Sequence, residues 1–392
     1  MFQFIKRNSC KKENNSLIAV SDKVSVVPHE TVIVNLLLAL YRNQDRLATE
    51  KMGYVGGNTG NLIFTEAVKE QIHYQKEIWL NPTALKSVKN PSIIIPSANF
   101  LIPGNQDSLA TSIIRFLENT DCPVTLDGLG AQSTEILNTP KKLIRHLSDT
   151  KIRCFKMLSE RAVSLGIRGE FTGECLDLMG IHNYRIIGCP SAYKYLNEDY
   201  PEIALPTLDA VQVTVTPSNR QETQIFQMGH SLNAKWMMQM STEFIGHMSE
   251  NEITSALIHK VLPGTELSAF EIQKYVLQNA NVCWSIEEWN SFYAENKITF
   301  AFGSRFHGNM AAFRNGIPAL WITHDSRTQE LVETLHLPHI SRKYFINKIK
   351  YPEQLLEKCD YNLFYKKYPE LKNNYLAFLK ENHISVNKLN HI

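Results

Sequence analysis

Apolar positions along this chain fall either in short runs or in stripes of helical period, and the two kinds alternate from about residue 52 onward. Residues 53–56 read as a short apolar strand, Gly57-Asn58-Thr59-Gly60 as a glycine-rich turn, and 61–75 as an amphipathic helix. Further units follow: a buried strand at 92–96, a helix at 107–118, a strand at 124–126 running into Gly128-Leu129-Gly130-Ala131-Gln132, and a helix at 154–165. Gly166-Ile167-Arg168-Gly169, a helix to about Met179 and a strand at 184–188 continue the rhythm. Such alternation predicts an α/β protein with parallel strands and helices on both faces of the sheet.

Residues 197–206 turn polar and proline-bearing, as expected of an interdomain link. A second series then begins at 211–216. It continues with a helix at 268–278, a strand at 282–284, a helix at 286–295, and strands at 298–302 and 319–323. Beyond Pro338 the pattern is mostly helical, with Tyr361, Phe364, Tyr368, Leu371, Tyr375 and Phe378 at helical spacing, and this segment is expected to pack back across the first domain. The resulting division is 1–205, 206–345 and a helical segment 346–392. At 392 residues the chain exceeds the roughly 250–300 at which single cores stop growing, so two domains are expected.

Composition narrows the function. The 41 basic and 39 acidic side chains nearly balance, so no whole-molecule field recruits nucleic acid, and any anion site must be local. Cys10, Cys122, Cys154, Cys175, Cys189, Cys283 and Cys359 are scattered singly, which suggests neither a zinc cluster nor a disulfide framework and points to a reducing compartment. The basic N-terminus lacks a following apolar stretch, and the apolar run at 32–40 is about half the ~20 residues that cross a bilayer. A cytoplasmic protein is expected, with lysine- and asparagine-rich ends at the solvated surface.

Ligands of open parallel sheets bind beyond the carboxyl ends of the strands, and three segments place suitable residues there. In Gly56-Gly57-Asn58-Thr59-Gly60-Asn61, backbone N–H groups and a helix N-terminus could meet an anion, although a plain capped turn reads equally well. Arg168 emerges just before a helix, where a surface salt bridge is the competing reading. In Phe300-Ala301-Phe302-Gly303-Ser304-Arg305-Phe306-His307-Gly308-Asn309 a strand runs into a turn carrying an arginine and a histidine, on one side if the segment stays extended. That pair joins a fork of donors for phosphate or carboxylate with a side chain that exchanges protons near neutral pH. Just downstream, His324-Asp325-Ser326-Arg327-Thr328-Gln329-Glu330 opens another helix with Asp325 as its N-cap. No GxxxxGK[ST], HExxH or GxSxG motif occurs, and the histidines lack ligand spacing, so neither a metal nor a cofactor is expected.

The stretch FAFGSRFHGNMAAFRNGIPALWITHDSRTQEL resembles the C-terminal signature of bacterial polysaccharide pyruvyl transferases. GGNTGN, DGLGAQS, IRGEFTGECLDLMGIHNYRIIGCPSAY and the late YLAFLKENHI are similar to further parts of that family, together spanning about residues 53 to 383. The resemblance implies two Rossmann-like domains facing a cleft, as in GT-B glycosyltransferases, and phosphoenolpyruvate as donor substrate. It carries Arg168, Arg305 and His307 into catalytic roles, and Gly57, Asn58, Gly60, Asn61, Gln132, His324, Arg327 and Glu330 into substrate binding. Where many members have glycine then aspartate, this chain has Gly60-Asn61, so no acidic role transfers there.

The mechanism this implies has His307 protonating the methylene carbon of phosphoenolpyruvate, with Arg305 and Arg168 holding its phosphate and carboxylate. The acceptor would be a sugar of a surface polysaccharide or its precursor, whether nucleotide-linked, lipid-linked or polymeric. A lipid-linked one would bring the enzyme to the inner membrane face without an anchor. Two other readings compete: a nucleotide-sugar glycosyltransferase of the same fold class, and a non-catalytic sugar- or nucleotide-binding relative.

Overall fold

The computed structural model describes residues 28–104, 107–133, 139–217, 219–240 and 255–387; Cys10, the basic N-terminal stretch and the extreme C-terminus lie outside them. Six parallel strands form a first sheet: β1 (Glu30–Val34), β2 (Lys76–Ile78), β3 (Pro91–Pro96), β4 (Val124–Leu129), β5 (Leu165–Ile167) and β6 (Tyr184–Ile186), in the order β2-β1-β3-β4-β5-β6. A second parallel sheet holds β7 (Val211–Thr214), β8 (Lys235–Met237), β9 (Ala280–Asn281), β10 (Phe300–Gly303), β11 (Ala319–Thr323) and β12 (His339–Ser341), in the order β12-β11-β10-β7-β8-β9. Ile93, Ile94 and Ile95 in the first sheet, like Phe300, Ala301 and Phe302 in the second, are fully buried, as expected of strands covered by helices on both faces.

Several local expectations shift. Residues 53–56 form no strand: Ala48–Tyr54 is a helix, ended by Gly56 and Gly57 in the left-handed region at φ +63° and +77°. The first strand is instead β1, which lies before Met52 and pairs with β2 on one side and β3 on the other. The helix 61–75 stops at Gln71, because Ile72 pairs with Val386 and His73 N donates to the Ser385 carbonyl at 2.8 Å. The helix placed at 154–165 runs Asp149–Arg161, its N-terminus capped by Ser148 Oγ accepting from Lys151 N, and Leu165–Ile167 is β5. Pairing at the far edge involves Ala280–Asn281 and not 282–284, because Ser285 already caps the next helix. The segment after Pro338, read as helical, starts with β12.

The last helix, Asn362–Glu381, returns to the first sheet as expected. Glu381 pairs with Arg185 of β6 at 2.6 Å, and the Asn382 carbonyl accepts from Ser92 Oγ of β3 at 3.0 Å. Gly166 of β5 lies directly beneath Phe378, where an added Cβ would come within 2.8 Å of the ring. Between the sheets, Phe64 and Val68 of the helix Asn61–Gln71 share one apolar cluster with Met310 and Phe313 of the helix Phe306–Arg314. No helix among the described residues is long and apolar enough to cross a membrane.

Candidate active site

The two sheets meet through the loops at their carboxyl ends. Ser133 Oγ, after β4, donates to Ser326 Oγ, after β11, at 2.8 Å, and Gln132 Nε2 donates to Asp325 Oδ2 at 3.3 Å. Gly303 makes the approach on the second sheet: at φ +146°, an added Cβ would sit 2.0 Å from the Thr214 carbonyl oxygen, so only glycine lets β10 close against β7 here. Arg305 N then donates to that same carbonyl at 3.2 Å, and the helix Phe306–Arg314 begins.

Because that helix begins at once, Arg305 and His307 do not project from one side of an extended segment. Arg305 is the N-cap residue, with Nη2 donating to the Thr216 carbonyl at 3.4 Å and its charge beside Glu222, Arg327 and Asp325. His307 points to the first domain instead. Its Nε2 lies 3.4 Å from Cys189 Sγ, and its ring centroid is 5.3 Å from that of Phe64.

Arg168, far from being a surface residue in a salt bridge, is 0 % exposed. Nε donates to the Gly128 carbonyl at 2.7 Å, Nη1 to Asn99 Oδ1 at 3.1 Å and Nη2 to the Ser97 carbonyl at 3.3 Å, while the guanidinium lies over Phe64 at 5.7 Å. It thus ties the ends of β3 and β4 to that of β5. A hydrogen-bonded relay crosses the cleft from it: Asn99 Nδ2 donates to Gln132 Oε1 at 3.0 Å, and Gln132 reaches Asp325. The relay ends at Arg327, whose Nε is 3.7 Å from Asp325 Oδ2. Arg327 is 7 % exposed, and its Nε, like that of Arg305, is buried without a hydrogen-bond partner.

Three guanidiniums therefore crowd one water-poor place, and the titrating groups there respond. Burial first, then the positive charges of Arg168 and Arg327, hold His307 well below its ordinary value, so its imidazole is neutral at pH 7. His324 is lowered by burial, with Asp325 opposing. Burial works against an ionised Asp325, but Arg327, His324 and bonds from Thr328 outweigh it and bring its carboxyl to about 2. Glu330 goes the other way: burial raises it to about 7 although Thr172 N and Oγ1 both donate to it, at 3.0 and 2.7 Å.

The structure thus gathers Arg168, Arg305, His307, Arg327, Gln132, His324 and Glu330 around one cleft, with both Glu330 oxygens already engaged. The glycine-rich turn behaves differently. Every backbone N–H from Gly56 to Ile63 already has an acceptor, Thr59 N reaching the Gln239 carbonyl at 3.1 Å and Gly60 N reaching Asn58 Oδ1 at 2.8 Å, so this turn is no anion cradle. Gly60 matters for another reason. An added Cβ would lie 3.0 Å from His307 Cβ, and its absence lets the helix Asn61–Gln71 press against the histidine. Gly57 sits in the turn at φ +77° with open space around it, whereas Asn58 and Asn61 line a cavity of about 560 Å³ beside the cluster.

Sequence reading missed Cys189, Phe64, Asn99 and Asp127. Cys189 and Asn99 do follow strand ends, which was the available signal; Phe64 is one apolar position among several on its helix. Asp127 is buried in β4 beneath the site, where burial raises its carboxyl to about 7 and Tyr375 Oη lies 2.9 Å from Oδ2. Among the described residues no group of three or more His, Cys, Asp or Glu is arranged to hold a metal ion.

Against known proteins, the family model described as polysaccharide pyruvyl transferase matches residues 144–326. The match takes in Arg168, Arg305, His307 and His324 and ends just before Arg327; the GGNTGN turn, DGLGAQS and the C-terminal helix lie outside it. No curated protein matches the chain significantly. Among solved structures, S. aureus MnaA in a co-structure with UDP is similar at 12% identity over 90% of this chain and 98% of that one, with a TM-score of 0.38. A putative UDP-N-acetylglucosamine 2-epimerase from Listeria monocytogenes matches at 11% identity over 92% of each chain (TM-score 0.34). The glycotransferase of kitacinnamycin matches at 9% identity over 91% of this chain and 99% of its own (TM-score 0.34). At such scores the likeness is loose, and the fold rests on its own strand order.

Proposed function

We propose that this chain is a polysaccharide pyruvyl transferase that moves pyruvate from phosphoenolpyruvate onto two hydroxyls of a sugar as a ketal. The observation that carries the reading is the pair Arg168 and Arg327 beside His307, with Arg305 next to Arg327 and the Nε–H groups of Arg305 and Arg327 lacking acceptors. Buried donors without acceptors are costly, and an anion with several oxygens would satisfy them. Phosphoenolpyruvate brings two separate acidic groups.

Arg305 and Arg327 take its phosphate and carboxylate, while Arg168, with three of its N–H groups already held, supplies fixed positive charge behind His307. A neutral imidazole cannot protonate carbon. Burial and, after it, the Arg168 and Arg327 charges hold His307 down; the donor's negative charge offsets the two repulsions and favours the charged ring despite the burial, so donor binding raises its pKa and brings the imidazolium within reach. The imidazolium then gives its proton to the methylene carbon, leaving an oxocarbenium-like C2. One sugar hydroxyl adds there and its proton returns to His307, the C2–O bond to phosphate breaks, and the second hydroxyl closes the ketal as its proton leaves on the phosphate, so that one phosphate and one ketal form per donor. Acid help of this kind is typically worth ~10² to 10⁴ in rate.

The test is phosphate release from phosphoenolpyruvate by wild type and His307→Ala, offered a panel of nucleotide-linked and lipid-linked sugars. Acceptor-dependent release that the variant loses is the expected result. Release that survives in the variant removes His307 as the acid; nucleoside diphosphate release without phosphate assigns a glycosyltransferase instead.

A further inference from the structure

The cavity of about 560 Å³ is a different place from the arginine cluster, and nothing in the donor chemistry uses it. It opens beyond the carboxyl ends of β1, β2 and β3. Strand order reverses at β1, the place in an open parallel sheet where ligands settle. Its volume is that of a small-molecule site.

Two of its walls also belong to the catalytic cluster. Asn99 lines it and accepts from Arg168, and Phe64 lines it while lying under Arg168 and beside His307. A ligand in this cavity is thus one side chain away from the site of proton transfer.

The lining decides what that ligand can be. Among the described residues Lys151 is the one charged side chain in the wall, and its ammonium already donates to the Ile102 and Gly104 carbonyls at 2.8 and 2.9 Å. Three amides, Asn58, Asn61 and Asn99, face a largely apolar and aromatic remainder that includes Trp79; Asn58 Oδ1 already accepts from Gly60 N, Asn61 Nδ2 donates to the Val55 carbonyl and Asn99 holds one bond on each amide atom, so each amide still has donor or acceptor capacity for a hydroxyl. Trp79 is 48 % exposed, whereas Trp236, Trp284, Trp289 and Trp321 are at most 6 % exposed. Such a wall repels phosphates, which would be desolvated without a partner, and suits a neutral ring with hydroxyls at its edge and C–H bonds on its face. The cavity on the second sheet has the opposite character, with His324, Arg342 and Lys343 in its wall.

Resting on the donor reading above, we infer that this cavity is the subsite for an uncharged pyranose of the acceptor. The ring stacks on Trp79, its hydroxyls are read by Asn58, Asn61 and Asn99, and its reacting edge is turned toward His307. The charged carrier, whatever its kind, stays outside.

The experiment uses methyl β-galactoside, methyl α-mannoside, methyl N-acetyl-β-glucosaminide and N,N′-diacetylchitobiose as neutral probes, with saturation-transfer NMR and tryptophan emission as readouts on the full chain. At least one probe is expected to receive saturation on its ring C–H protons and to change the emission of Trp79. Trp79→Ala should weaken that binding about tenfold, the loss of one stacked aromatic contact, and Trp79→Phe should restore most of it. The thermal shift given by phosphoenolpyruvate should be the same in wild type and Trp79→Ala, because it reads the arginine cluster. No saturation transfer to any probe, equal binding by Trp79→Ala, or displacement of the bound probe by inorganic phosphate would overturn the assignment. Sugar binding that depends on Trp79 in a protein that phosphoenolpyruvate does not stabilise would keep the subsite and sink the donor reading.

Discussion

Replacing Arg327 by methionine separates binding from folding. The side chain is 8 % exposed, and breaking a buried ion pair ordinarily costs about 3–5 kcal/mol because a charge is left unpaired. Here the carboxylate left behind keeps other partners: Thr328 N and Oγ1 both donate to Asp325 Oδ1 at 2.8 Å, and Gln132 donates to Oδ2 at 3.3 Å. The 3.7 Å contact to Arg327 is the longest of the set, and although its charge helps to keep Asp325 ionised, removing it also relieves repulsion of Arg168 and Arg305. Arg327→Met should therefore lose less than about 1.5 kcal/mol of stability, the scale of one ordinary hydrogen bond.

Donor binding should respond very differently. Hydrogen bonds to charged groups contribute about 1.5–3 kcal/mol each, so losing those of Arg327 weakens the donor by roughly 100-fold. At 100 times the wild-type dissociation constant, phosphoenolpyruvate stabilises the wild type by about 2.7 kcal/mol but the variant by only about 0.4 kcal/mol. Urea unfolding with and without phosphoenolpyruvate measures both quantities. A variant that loses more than about 3 kcal/mol without ligand, or that keeps the full donor effect, would refute the reasoning.

Other substitutions read other parts of the site. Arg168→Lys cannot reproduce the fork, so it should leave a buried Gly128 or Ser97 carbonyl unsatisfied and lose about 1–3 kcal/mol in denaturant unfolding; unchanged stability would contradict the clamp. Asp127→Asn tests a pH dependence. With its carboxyl at about 7 in the fold and near 3.9 unfolded, Asp127 holds a proton that the unfolded chain gives up, so its contribution is complete below about pH 4 and is lost as pH rises through about 7. The stability of wild type relative to Asp127→Asn should thus fall between about pH 4 and about pH 7 and level off above, and a constant difference would argue against the raised carboxyl. Gly303→Ala should fail to give folded protein or lose all activity, since its Cβ has no room at the Thr214 carbonyl; near-normal yield and turnover would contradict the packing of β10 on β7.

Much of this architecture was written in the pattern. The apolar runs that became β3, β4, β7, β10 and β11 are buried on both faces, and the glycine, arginine and histidine after β10 fall where a parallel sheet presents its ligands. β1 was missed because Asn35 alone separates its apolar residues from the Leu36–Leu40 stretch, which hides the strand's end. The strand at 53–56 was misplaced because glycines flanking a few apolar residues read as a strand end, although here they terminate a helix.

The site was legible one residue at a time but not as an arrangement. That Arg168 is a buried clamp, that the turn at Gly57 has no N–H left to offer, and that Cys189 meets His307 across 118 positions all depend on contacts between distant segments, which no local period records.

The central claim is that the product is a ketal, made from phosphoenolpyruvate with His307 as the acid. The most direct measurement is carbon NMR of the product formed from phosphoenolpyruvate labelled at its methylene carbon, with an acceptor that supports phosphate release. A methyl resonance on a quaternary ketal carbon, with one phosphate released per ketal and none in His307→Ala, is the predicted result. A vinyl resonance of the same product mass, showing an enolpyruvyl ether formed without net proton transfer to carbon, would contradict the account.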